Sequence, residues 1–354
     1  PAQSQTITSI ESESDLDAGG GSDDFQCVVQ PSTGPLVAFN EDAEAIVTYD
    51  TGTSTLGTLR SQGDLQADLS TTGIDACDAV TIDDQSDVVY FSLRDTNNDS
   101  FIYRIGADGT ASTIVSQNFN GANSLAVGTS NLYVGVVGAF GDVDNGVYSL
   151  PLPLTGTGTL SPVLNTGTIS DITLDGTMDV RSNGNIILMS NEGRNGTAAQ
   201  NNKIFEISDP TGTPTIQQIV DPIGNGVFAD AELLHMEAVF FEGADRIVVS
   251  NNAFSATGGE QFGVFQLDGT GNILFNAEDI QTATSFTDFA TVEDGGFVAT
   301  ETGDVVAASL EGGSFGEAGL VSATNLSLPV ELASFDGDFT GSGIALTWKT
   351  LTET

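Results

Sequence analysis

Residues Ala79 to Val115 constrain the fold more than any other stretch of this chain. A short apolar run, Ala79-Val80-Thr81-Ile82, meets an acidic turn from Asp83 to Asp87, and the β-rich run Val88 to Leu93 follows. A polar loop from Asp95 to Ser100 leads into Phe101 to Ile105, the turn Ala107-Asp108-Gly109 and a last apolar run from Ala111 to Val115. Asp, Asn and Gly tolerate the positive φ of tight hairpins, so this stretch reads as four short strands in one antiparallel sheet. Such a sheet cannot bury its own faces, and a recurring one has to stack against its copies.

It does recur. Taking Val88 to Phe91 as a second strand, the counterparts are Ala45 to Tyr49, Leu132 to Val137, Ile186 to Met189, Ile247 to Ser250 and Phe297 to Thr300. They lie about 43 to 61 residues apart, the size of a four-stranded propeller blade. Third strands follow at Gly146 to Leu150, Lys203 to Ile207, Gln261 to Leu267 and Asp304 to Leu310. The expected fold is all-β: a β-propeller of six blades over residues 31–325, or seven if the two ends build another. It is preceded by an acidic, Gly-rich arm at 5–30 and followed by a strand tail at 326–354. No helical periodicity beyond about two turns is seen except at Ala231 to Glu237.

Charge bounds the partners. Among 354 residues, 8 Lys+Arg face 49 Asp+Glu, a formal charge of −41, while 39% of residues are hydrophobic. A disordered acidic chain is poor in apolar residues, so this is a folded protein with an acidic skin. Such a skin repels nucleic acid and anionic lipid and strains the compact state until salt screens it. The balance, with Lys203 and Lys349 the two lysines, predicts a salt-adapted or cation-rich setting. No run of 18 apolar residues occurs, so nothing is expected to span a membrane. Ala2-Gln3-Ser4 fits a signal-peptidase site, which makes residues 1–4 the expected remnant of a secretion signal. Cys27 and Cys77 fit one disulfide of an oxidising compartment.

The tail carries the one recognisable signature. Leu328-Pro329-Val330-Glu331-Leu332-Ala333-Ser334-Phe335, then Ile344 to Thr350 and Thr352-Glu353-Thr354, resembles a segment of secreted and surface proteins of bacteria that use type IX secretion. There it opens a fibronectin-like β-sandwich. The resemblance covers about 27 residues and implies export and a cell-surface address. Val330, Leu332, Phe335, Leu346 and Trp348 are the expected assembly positions. Their strands are expected to pair outside their own hairpin, on the propeller or on a neighbouring subunit in a homo-oligomer or polymer.

Residues for chemistry are sparse. His235, the single histidine, lies in apolar Leu233 to Glu237, the context of a core or blade-edge residue. Oxygen ligands spaced two apart, as in calcium loops, occur at Asp95, Asn97 and Asp99 and again at Asp142 and Asp144, so Ca2+ is the one cofactor expected. The leading functional expectation is a secreted, non-catalytic structural or adhesive propeller, with strand addition joining filament-type subunits. The alternative is a surface module that binds glycan or protein. A third reading resembles, in general architecture, six-bladed calcium-dependent lactonases, with Glu237, Asn251 and Asp179 supplying metal ligands.

Overall fold

The computed structural model describes residues 6–12, 25–32, 34–41, 43–50, 52–53, 55–83, 85–106, 109–113, 121–136, 146–154, 157–165, 177–190, 202–228, 233–241, 244–251, 261–283, 297–299, 305–309, 319–324, 332–339 and 344–350. The first strand, β1 (Thr6–Ser12), leaves its sequence neighbours and closes the last sheet. The next twenty form five four-stranded antiparallel sheets in chain order. The first holds β2 (Phe25–Val29), β3 (Leu36–Asn40), β4 (Ala45–Asp50) and β5 (Thr55–Arg60). The second holds β6 (Ile74–Asp83), β7 (Val88–Asp95), β8 (Ser100–Ile105) and β9 (Ala111–Thr113). β10 (Ala122–Val127), β11 (Asn131–Val136), β12 (Gly146–Pro151) and β13 (Ser161–Asn165) make the third. β14 (Met178–Val180), β15 (Ile186–Ser190), β16 (Lys203–Ser208) and β17 (Thr215–Val220) make the fourth. The fifth is β18 (Leu233–Phe241), β19 (Ala244–Asn251), β20 (Gln261–Phe265) and β21 (Gly271–Asn276).

A further four-stranded sheet is composite. β22 (Phe297–Ala299), β23 (Val305–Ser309) and β24 (Gly319–Thr324) are completed by β1, whose Thr6 faces Thr324 and whose Ser12 faces Gly319. The first strands touch in a cycle, β2 to β6 to β10 to β14 to β18 to β22 and back to β2, so the sheets stand round a closed ring. This is an all-β propeller arrangement, with five blades of consecutive strands and the composite sheet between the fifth and the first.

Period-2 alternation is what glues neighbouring blades, because successive side chains of a strand reach opposite sheet faces. In β7, Val89 and Phe91 pack with Phe39 and Ile46 of the first blade, while Val88 and Tyr90 pack with Leu132 and Val134 of the third. Met178, Ile186 and Phe205 likewise join the fourth blade to Ala126 and Tyr133 of the third, and Ile187 and Ile204 join it to Ile247 and Phe265 of the fifth. Each such side chain, fully buried, contributes about 1.5–3 kcal/mol.

Several sequence expectations change here. Phe25–Val29 is not the end of an arm but the first strand of the first blade, so Ala45–Asp50 is a third strand and not a second. At the other end Phe297–Ala299 is a first strand and Val305–Ser309 a second, because β1 supplies the missing outer strand. Of the segment Ala231 to Glu237, where helical periodicity is expected, Leu233 to Glu237 belong to the strand β18. The helices lie elsewhere. α1 (Gln62–Leu69) is capped by Ser61, whose hydroxyl accepts from the Asp64 N–H while the Asp64 carboxylate accepts from the Ser61 N–H. Its Leu65 and Leu69 enter the core between the first two blades. α2 (Ala277–Ala283) has a reciprocal cap between Asn276 and Asp279. The tail strands β25 (Leu332–Phe339) and β26 (Ile344–Thr350) pair with each other, Phe335 opposite Trp348, as a separate two-stranded sheet. Among the described residues they do not pair with the propeller. Val330 lies outside the described residues.

Candidate functional site

Cys27 and Cys77 are bonded, joining β2 to β6 with their Cα atoms 6.1 Å apart. Cys27 sits at φ 55, in a bulge of β2 between Gln26 and Val29. Gln26 reinforces the junction: its Oε1 accepts from the Cys77 N–H at 2.9 Å and its Nε2 donates to Glu41 at 2.5 Å.

Asp95, Asn97 and Asp99 close the β7–β8 hairpin. Asp95 is 3% exposed, and its carboxylate collects bonds from within the protein. Oδ1 accepts from the N–H groups of Asn97 and Asp99, both at 2.9 Å, and Oδ2 from Asn97 Nδ2 at 3.1 Å and Thr71 Oγ1 at 2.9 Å. Burial alone would raise its pKa; the bonds from Asp99, Asn97 and Thr71 outweigh that and hold it below the usual carboxylate value. The spacing that reads as a calcium loop therefore also serves a turn in which the carboxylate takes the place of a backbone acceptor. Asp142 and Asp144 lie outside the described residues. So do the side chains of His235 and Glu237, whose backbones are in β18. Among the described residues no three His, Cys, Asp or Glu side chains gather as a metal site.

What the sequence does not single out is the centre of the ring. A cavity of about 1140 Å³ is lined by the first strands of all six sheets. It opens where the first hairpin turns lie, past Ser32, Ser86, Thr129 and Gly184, and reaches inward to Ala79, Thr177 and Ala238. Its polar wall groups hold one another. Thr177 Oγ1 accepts from Met236 N–H at 2.6 Å, and Asp179 Oδ2 accepts from Ala238 N–H at 2.5 Å, fastening β14 to β18. Asn251, the third residue of the lactonase-like set, is fully buried in β19 and is not part of the cavity lining, whereas Asp179 is.

At the rim, Arg181 follows β14 and is gripped from two sides. Its Nε donates to Asp245 Oδ2 at 3.0 Å and its Nη1 to Glu206 Oε1, which also accepts from Asn185 Nδ2 at 3.0 Å. Asp245, the second residue of β19, lies directly across from Phe240 in β18, so the two side chains share a sheet face, and both residues line the cavity. Phe240 is 47% exposed, one of three large hydrophobic side chains that stand out among the described residues. The signal for this cluster was available in sequence as the acidic turn Glu242 to Asp245, but the approach of Arg181 depends on how two blades meet.

No family model and no curated protein matches the chain. Its fold is similar to that of a luciferin-regenerating enzyme, with TM-score 0.52 and 11% identity over 92% of this chain and 96% of the other. The extracellular domain of a hybrid two component system from B. thetaiotaomicron aligns with TM-score 0.49 and 12% identity, covering 93% of this chain and 40% of that one. A nidogen/laminin complex structure aligns with TM-score 0.46 and 12% identity over 81% and 89%. At such identities the likeness shows a propeller fold alone. Among the described residues no helix is long and apolar enough to cross a membrane.

Proposed function

We propose that this chain is a secreted, non-catalytic propeller that works by adhesion, holding a ligand in the mouth of its central channel. The ring is read as six-bladed, with the composite sheet as the sixth blade. The observation that carries the reading is the cavity of about 1140 Å³, whose rim side chains are already tied to one another across blades. A concavity that large and that well fixed binds without the cost of ordering its own walls. Arg181, Asp179 and Asp245 are all engaged in bonds that fasten neighbouring blades, the arrangement of a preformed seat. The test is a crystallographic screen of small neutral, cationic and anionic fragments at native salt. Fragments should collect at the rim beside Phe240; a scatter over the outer surface with none in the channel would overturn the reading.

Self-assembly is a second reading, favoured by the tail. A two-stranded hairpin is marginal by itself in water, and β25 and β26 pair with each other only among the described residues. Addition of either edge to a neighbouring subunit makes a head-to-tail contact, and such contacts give filaments when they do not close. Deletion of residues 327–354, followed by light scattering and electron microscopy, should turn chains of subunits into monomers. A full-length protein that is already a monodisperse monomer removes this reading and leaves the first.

A further inference from the structure

We propose that the channel mouth seats a neutral carbohydrate, with Phe240 as the stacking platform and Arg181 and Asp245 as the groups that recognise hydroxyls. This rests on the adhesive reading above and names its ligand class. Phe240 is a large apolar ring left 47% exposed at the lip of a concave site, next to a network of charged groups that are themselves largely buried. A sugar ring has one apolar C–H face and a rim of hydroxyls, each both donor and acceptor. It therefore needs a flat apolar surface beside fixed donors and acceptors, and the β18–β19 hairpin places the two side by side through the Phe240–Asp245 cross-strand pair.

Charge selects among polar ligands. Arg181 is 14% exposed at its side chain, and Asp245 and Glu206 hold its Nε and Nη1. A guanidinium carries five N–H donors, so this one keeps donors beyond the two so engaged. An anionic ligand approaching Arg181 meets two carboxylates beside it and a chain of net charge −41. A cationic ligand meets the guanidinium, with Asp245 and Glu206 already committed to it and the other lining carboxylates, Asp179 and Asp83, accepting from donors of their own. A neutral polyhydroxyl compound meets neither obstacle. It finds the fork of Arg181 as donor and Asp245 as acceptor, fixed by bonds to each other, and across the mouth Gln85 and the hydroxyls of Ser32 and Ser86, which donate to the carboxylates of Asp87 and Asp83.

The test uses the full chain at native salt on an array of neutral, uronic-acid and amino-sugar oligosaccharides, with calorimetry on the best neutral binder. Neutral oligosaccharides should bind in preference to both charged classes. Phe240→Ala should weaken binding by about tenfold or more, the usual loss for an aromatic anchor, and Phe240→Trp should retain it. Phe240 is at the surface, so both variants should keep the wild-type melting temperature. Preference for uronic acids or amino sugars, or neutral binding that Phe240→Ala leaves unchanged, overturns the proposal. So does an array on which nothing binds. If fragments still occupy the rim in that case, the adhesive reading stands with another ligand class; if they do not, both fall.

Discussion

Reduction of the Cys27–Cys77 bond gives the most direct check on how the first two blades are held. The bond closes a loop with a sequence separation of 50. On the chain-entropy estimate, closing a loop of that size removes about 14 cal/mol/K from the unfolded ensemble, about 4 kcal/mol at 25 °C. With unfolding entropy near 2.1 cal/mol/K per residue over roughly 300 residues, 4 kcal/mol corresponds to a fall in Tm of about 6 °C. The folded state should survive the loss. Gln26 still bridges Cys77 and Glu41, and Phe39, Leu65 and Phe91 still fill the core between the blades. Thermal unfolding followed by circular dichroism, with and without a phosphine reductant at one salt concentration, measures the shift. Free thiols are to be counted in the reduced sample at 25 °C. A shift under about 1 °C with both thiols free would refute the reasoning, since the unfolded chain would then gain nothing from the opened loop.

Two further outcomes are expected. Asp95→Asn replaces an acceptor of four hydrogen bonds by a group with one acceptor oxygen, and should cost about 2–3 kcal/mol at pH 7 in urea unfolding. Because the folded pKa of Asp95 is depressed, its contribution is present above the unfolded value near 3.9 and lost as pH falls through the folded value. The gap between wild type and variant should therefore narrow towards pH 3, and an equal gap at both pH values would contradict that role. Raising NaCl from about 0.05 to 1 M, which shortens the Debye length to about 3 Å, should raise the melting temperature of a chain with net charge −41; a flat or falling curve would show that its acidic surface is not under repulsive strain.

The blade interiors were legible because their chemistry is local. In the Ala79 unit the strands fall where alternating Val, Tyr, Phe and Ile residues and Asp/Asn/Gly turns put them, at β6, β7, β8 and β9. The capping box Ser61-x-x-Asp64 is a local helix signal, but Leu65 and Leu69 four apart are one apolar pair, a faint period on which to place a helix. The start of the ring was not legible. Phe25–Val29 carries a bulge at Cys27, which breaks the alternation that would mark it as a blade strand. The pairing of β1 with β24 joins residues at opposite ends of the chain, and no local pattern encodes that. The rim cluster escaped for a related reason: Arg181, Glu206 and Asp245 come from three separate stretches and meet only once the fourth and fifth blades are side by side.

That pairing also sets an order of events during synthesis. β1 precedes its partner β24 by roughly 310 residues. At translation rates of about 5–20 residues per second, β1 waits roughly 16–60 s with nothing to bond to. An edge strand in that state is a template for any neighbour. Its composition suits the wait: Thr6-Ile7-Thr8-Ser9-Ile10-Glu11-Ser12 carries two apolar residues among hydroxyls and a carboxylate, poor material for clumping with its like on crowded polysomes. The ring can therefore shut only after β24 has been made, and a nascent chain halted before residue 319 would be a row of finished blades with its latch still hanging open.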